Sequence, residues 1–287
     1  MRQSSVFNVE TVGDWHGRSF QDTMTFASHR GFLALLFCVA APSLSSAQTP
    51  VRVVHIFVSL ADNQHQGIVP VPARLGDGDA PASNLYWGAA FGVKTFFRTS
   101  KDWELLSASP GPSLAILERC VFKHRTEAVY VVADAYRGSQ MREAVADFLS
   151  AASGLNSQSL VVSSKQKAVK IMTAGGADLV VYVGHDAFMD SQVKPVVGAN
   201  SAKPRMAIVL ACASKSYFAP YLKYTRATPL LWTTGLMAPE AYTLKAALDG
   251  WIANEDGESV RQRAAQAYDK YQHCGLRAAQ RLFASGW

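Results

Sequence analysis

Apolar residues in this chain arrive in short unbroken runs rather than in strict alternation with polar ones. Residues 51–60, 128–133, 178–184, 206–211 and 229–232 are such runs, of strand length, and each stops at a polar residue or a turn. Between them the spacing changes to the helical period. Segment 138–152 places Met141, Val145, Phe148 and Leu149 on one face, and 258–272 does the same with Val260, Ala264, Ala267 and Tyr271. Further helices are expected at 84–99 behind a Ser83 or Asn84 cap, at 166–173 before Gly175 and Gly176, at 239–253 and at 276–283. A helix at 214–224 has to accommodate Pro220 through a kink or a late start. Segments 103–106 and 160–162 read as strands, and 115–124 as a strand or a helix. Strands that are apolar along their whole length leave no face for water. Alternating with helices, they form a mostly parallel sheet covered on both sides. The pattern therefore predicts an α/β three-layer sandwich, a single domain over 48–287.

The first 47 residues break this pattern. His29 and Arg30 precede an apolar run over 31–41, then Pro42 and a small-residue stretch ending at Ala47, which is the order of a secretory signal with cleavage after Ala47. The run is shorter than the roughly 20 residues a membrane span needs. Residues 1–23 are polar, and a signal beginning at Met24 has ordinary proportions, so 1–47 reads as an upstream extension plus a signal peptide. The expected location is periplasmic or secreted.

Composition changes the picture in two places. The chain has 287 residues, 49% of them apolar, with a net charge of +6, but its Lys and Arg residues are scattered and form no patch interleaved with aromatics. Nucleic-acid binding is therefore not suggested. Four cysteines become three downstream of residue 47: Cys120, Cys212 and Cys274. In an oxidising compartment an odd count leaves one thiol free, pairs one between chains, or leaves all three as thiols. Were Cys120 and Cys274 to pair, Cys212 would be the lone thiol.

The candidate chemistry lies at the strand ends. In an open parallel sheet, sites form beyond the carboxyl ends of the strands. Those ends carry Asp62 and Asn63, Asp134, His185 and Asp186, Cys212 to Ser214, and Thr233 and Thr234. A cysteine attacks carbonyls as its thiolate, and a nearby imidazole holds or generates that thiolate. The start of the helix after Cys212 would favour a negative sulfur, and amides near Gly184, Ala213 and Ser214 could bind an oxyanion. His65, with Asp62, could line the same pocket, whereas His55 is expected to pack in or near the sheet. No Gly-x-Ser-x-Gly elbow and no phosphate loop is present, and no histidines have metal-ligand spacing. Ser164 and Lys167 match a serine-acylase pattern whose partner motifs are absent.

Segment 176–185, an apolar strand running into Gly184-His185, resembles the histidine block of the caspase-like cysteine peptidases, the group of caspases, legumains, gingipains and clostripain. Segment 206–212 is similar to the block in which a later strand leads to the cysteine. The resemblance covers 52–252 as a topology and these two blocks as motifs. It implies a caspase-like fold and an endopeptidase with Cys212 as nucleophile and His185 as general base and acid. Asp186, Asp62 and Asp134 would be orienting or pocket residues, a carboxylate in the pocket favouring a basic substrate side chain. The partner implied is a peptide or protein substrate, and no metal or organic cofactor is implied. The chain departs from the family where Asp186 stands in place of the glycine that helps bind the oxyanion, and where Ala213 and Ser214 follow the cysteine. A thiol acyltransferase or amidase on the same dyad, or a non-catalytic domain binding a ligand or partner at this edge, are the other readings of these residues. The whole chain downstream of residue 47 also resembles uncharacterised secreted bacterial proteins.

Overall fold

The computed structural model describes residues 50–164, 167–193, 198 and 203–287; the expected signal segment, Met24 and Cys38 lie outside the described residues. The chain runs β1 (Arg52–Ser59), α1 (Val93–Thr99), β2 (Trp103–Pro110), β3 (Ile116–His124), β4 (Val129–Tyr136), α2 (Met141–Ala152), β5 (Gln158–Ser164) and β6 (Lys167–Thr173). It continues with β7 (Leu179–Val183), α3 (Ala187–Asp190), β8 (Met206–Leu210), α4 (Ser214–Thr225), β9 (Thr228–Thr233), α5 (Ala241–Ile252), α6 (Gly257–Gln272), α7 (Leu276–Leu282) and β10 (Phe283–Ala284). Residues 48–287 form one compact unit.

Eight strands make one sheet in the order β10-β9-β8-β7-β1-β4-β3-β2. The five apolar runs are its parallel strands β4, β1, β7, β8 and β9. β3 and β2 extend one side antiparallel, and β10 closes the other. Alternate residues along β1 feed two separate cores. Val54, Ile56 and Val58 pack with Tyr242, Leu244, Leu248, Val260 and Ala264 of α5 and α6, while Val53 and Phe57 pack with Val145, Phe148, Phe218 and Leu222 of α2 and α4. This is the three-layer α/β sandwich with a mostly parallel sheet that the runs predict, because a strand covered by helices on both faces has no water-facing residue to vary. Among the described residues no helix is long and apolar enough to cross a membrane.

Three segments differ from the sequence expectation. The segment expected as a helix over 166–173 is strand β6, paired antiparallel with β5 from Gln158 opposite Thr173 to Ser164 opposite Lys167. Its period is two: Ala168, Lys170 and Met172 are exposed, while Ile171 and Thr173 are buried. The helix expected over 84–99 is only α1. Asn84 caps no helix; its side chain is buried and holds a loop instead, accepting from the Ala61 and Tyr86 amides and donating to the carbonyls of Ala61 and Asp77. Gly88 and Gly92 lie so close to the backbone of Ala82 and Trp87 that the loop turns there, where a helix would run straight. Phe283, read as the end of a helix, pairs with β9 instead, as does Ala284.

Candidate functional site

The residues are best followed from the sheet outward. β7 and β8 are adjacent and parallel with Val183 opposite Leu210. His185 and Cys212 each lie two residues beyond that pair, so they leave neighbouring strands in matching register on the carboxyl edge. Adjacent strands are about 4.8 Å apart, so the two backbones leave the sheet side by side.

Gly184 makes the exit from β7 possible. Its φ is +143°, and a Cβ there would lie 2.6 Å from the Ser59 carbonyl oxygen. The chain then enters α3, whose single turn is capped by Asp186: its Oδ1 accepts from the Phe188 amide at 2.9 Å. That turn carries Asp190 back to His185. Asp190 Oδ2 accepts from His185 Nε2 at 2.6 Å and from the Gly67 amide at 2.7 Å. The Tyr182 hydroxyl donates to the His185 carbonyl at 2.6 Å. The imidazole is buried and pinned, and with Nε2 engaged by a carboxylate its free nitrogen is Nδ1. Asp190 was not anticipated from sequence, since a carboxylate five residues after a histidine faces it only when a one-turn helix intervenes.

Cys212 is half-buried, and its sulfur contacts Met237, accepting from the amide at 3.4 Å and donating to the carbonyl at 3.6 Å. Burial pushes the thiol up; the Met237 amide pulls it partly back, and Asp186 pushes it up further. The expected helix-stabilised thiolate is therefore not the resting state. The amides at the start of α4 are already engaged: Ala213 donates to the Gly235 carbonyl at 2.8 Å and Ser214 to the Thr233 hydroxyl at 3.2 Å. Gly184 likewise donates to the Leu210 carbonyl at 3.2 Å. Among the described residues Cys212 and His185 share no hydrogen bond, a separation that apo sites often close only on binding substrate.

The remaining carboxylates are placed as follows. Asp186 is fully buried, its Oδ2 has no partner, and burial pushes it up to about 7, with Asp190 adding to the shift. Asp62 lies beyond β1 at the same edge, but its oxygens accept from the Gln64 and His65 amides and from the His65 ring. His65 and Asp62 line a cleft of about 330 Å³ with Asp77 and Asp79. Asp134 is not at the edge. It sits inside β4 opposite Phe57 of β1, buried and bound by Arg119 and His55. The expected use of Asp186, Asp62 or Asp134 to draw a basic substrate side chain thus meets three carboxylates that are buried or already bonded.

All three described cysteines are free thiols, with Cys120 buried and Cys274 exposed, so the pairing that would single out Cys212 is not formed. Among the described residues no group of His, Cys, Asp and Glu could hold a metal ion. Comparison with family models, curated proteins and solved structures finds no match to this chain.

Proposed function

We propose that this chain is a secreted or periplasmic cysteine-dependent hydrolase of amide bonds, an endopeptidase of caspase-like type. The observation that carries the reading is a histidine held by a carboxylate and a half-buried cysteine at matching positions beyond adjacent parallel strands. Cys212 is the nucleophile. Its proton passes to His185 Nδ1 as the sulfur attacks the carbonyl, since burial keeps the resting group a thiol. His185 then gives the proton to the departing amine, and water cleaves the thioester with the same imidazole as base. Asp190 orients the ring and stabilises its cationic form, as the third group does in nucleophile–base–carboxylate sites generally.

A second reading is favoured by the engaged amides of Gly184, Ala213 and Ser214 and by buried Asp186 in the expected oxyanion position. On it the edge binds a ligand or partner without catalysis. An electrophilic peptidyl vinyl sulfone separates the two. The hydrolase reading expects one adduct at Cys212 by intact mass and peptide mapping. Its rate should fall about 10²- to 10⁴-fold in His185→Ala, the range of general-base contributions, and substantially in Asp190→Asn. An adduct formed equally fast in His185→Ala removes the dyad, and absence of any adduct leaves the non-catalytic reading.

A further inference from the structure

A marked departure from an apolar interior lies away from the strand ends, on the α2 face of the sheet. Phe57, Asp134 and Arg119 stand in one row across β1, β4 and β3. Arg119 grips Asp134 through Nε and Nη2, each at 2.6 Å, and His55 Nε2 donates to the same carboxylate at 3.0 Å. The Ala174 amide donates to His55 Nδ1 at 2.9 Å, which fixes the ring as the neutral Nε2–H tautomer. Asp134 is 1% exposed and His55 2%. The rest of β4 and β1 is apolar or aromatic apart from Arg52 and Ser59 at the ends of β1, and well-packed hydrophobic residues in place of such a buried pair are often as stable or more so. A buried, charged network of this kind is a candidate site.

It also forms the floor of a cavity of about 320 Å³, roofed by α2 and the chain entering β5. The two walls differ in character, an Arg119–Asp134 ion pair on the β3 side and two carboxylates on the α2 side. On the β3 side, Arg119 Nη1 is the guanidinium nitrogen that Asp134 leaves unbonded. On the α2 side stand Asp147, whose Oδ2 accepts from the Tyr136 hydroxyl at 2.7 Å, and Glu143. Neither has a cationic partner among the described residues. The volume is that of about ten waters, at roughly 30 Å³ each, and suits a small polar molecule rather than a chain segment. The residues of the cavity do not include His185 or Cys212, so the inference stands apart from the hydrolase reading.

We propose that this cavity binds a small zwitterion of the amino-acid class, with its ammonium group on Asp147 and Glu143 and its carboxylate on Arg119 Nη1. Each end supplies a charge-assisted hydrogen bond in a site half-shielded from water, and a molecule with only one of the two charges forfeits one end.

Titration calorimetry of the full chain tests this with glycine, leucine, glutamate and arginine, against ethylamine and acetate. At least one amino acid is expected to bind, with ethylamine and acetate each about tenfold weaker or more, the loss of one charge-assisted hydrogen bond. Glu143→Gln and Asp147→Asn should each weaken the amino acid by a similar factor. Glu143 is exposed, so its variant folds regardless; in Asp147→Asn the amide oxygen still accepts from Tyr136, and circular dichroism checks the fold. The proposal is overturned if none of the four amino acids binds the folded protein, if ethylamine binds as tightly as they do, or if Glu143→Gln and Asp147→Asn both keep the original affinity.

Discussion

Asp186 is the residue that most constrains the chemistry of the carboxyl edge. It is fully buried, one oxygen caps α3 and the other has no partner, and burial pushes its pKa up to about 7. The folded chain therefore holds this proton more tightly than the unfolded chain, whose carboxyl titrates near pH 4. Its contribution to stability is full below that value and is lost as pH rises through about 7. Urea midpoints measured at pH 5 and pH 8 should fall between the two for the natural chain, and fall less for Asp186→Asn. An equal fall in both would show that Asp186 is ionised throughout. The cysteines permit a second measurement at this scale. Iodoacetamide should modify exposed Cys274 first and Cys212 chiefly in the alkaline range, because burial and Asp186 raise its thiol. Cys120, buried in β3 and pushed up to about 12, should resist throughout. Early labelling of Cys212 at neutral pH would mean a preformed thiolate and overturn the proton-transfer order proposed above.

At the scale of elements, the site depends on two strand exits. Beyond β7, Gly184 combines φ of +143° with close contact to Ser59. Gly184→Ala should cost on the order of 2 kcal/mol or more in chemical denaturation, since an L-residue tolerates neither that angle nor that contact. Beyond β8, Ala213 is in the left-handed region at φ 46° and ψ 32°. Ala213→Gly should leave stability unchanged or raise it by up to about 1 kcal/mol, relief of left-handed strain being partly offset by the freer unfolded chain. A clear loss of stability in that variant would mean the methyl group packs in a way the angle does not reveal. The parallel strands were readable in the sequence because burial on both faces leaves continuous apolar runs. The β5–β6 hairpin was not: Val169, Ile171 and Thr173 do alternate with Ala168, Lys170 and Met172, but seven residues of mixed polarity fit a short helix as well, and only the partner strand decides. Asn84 misled for a related reason, since the side chain that caps helices also staples loops.

Over the whole molecule, the two cores share one sheet and are closed at opposite edges by β2 and by the short β10. The second closure is the more exposed to test. Phe283 is 3% exposed on the α6 side and pairs with Thr233, and Trp287 lies edge-on to Trp232 with ring centroids 5.6 Å apart. Phe283→Ala should cost about 3–5 kcal/mol in equilibrium denaturation, the usual range for emptying a buried aromatic site. A loss under 1 kcal/mol would show that α7 and β10 are a loosely held appendage.

The sequence by itself determined the layer architecture, the parallel strands and the placing of His185 and Cys212 at strand ends, because burial on both faces is written in composition along the chain. The tertiary structure decided the rest. It set Asp190 against His185 through a one-turn helix, put Met237 on the Cys212 sulfur, and drew His55, Arg119 and Asp134 from three strands into one buried network. These groups are distant in sequence or out of any simple period, and hydrogen bonds between them arise only once the sheet has fixed which strands are neighbours.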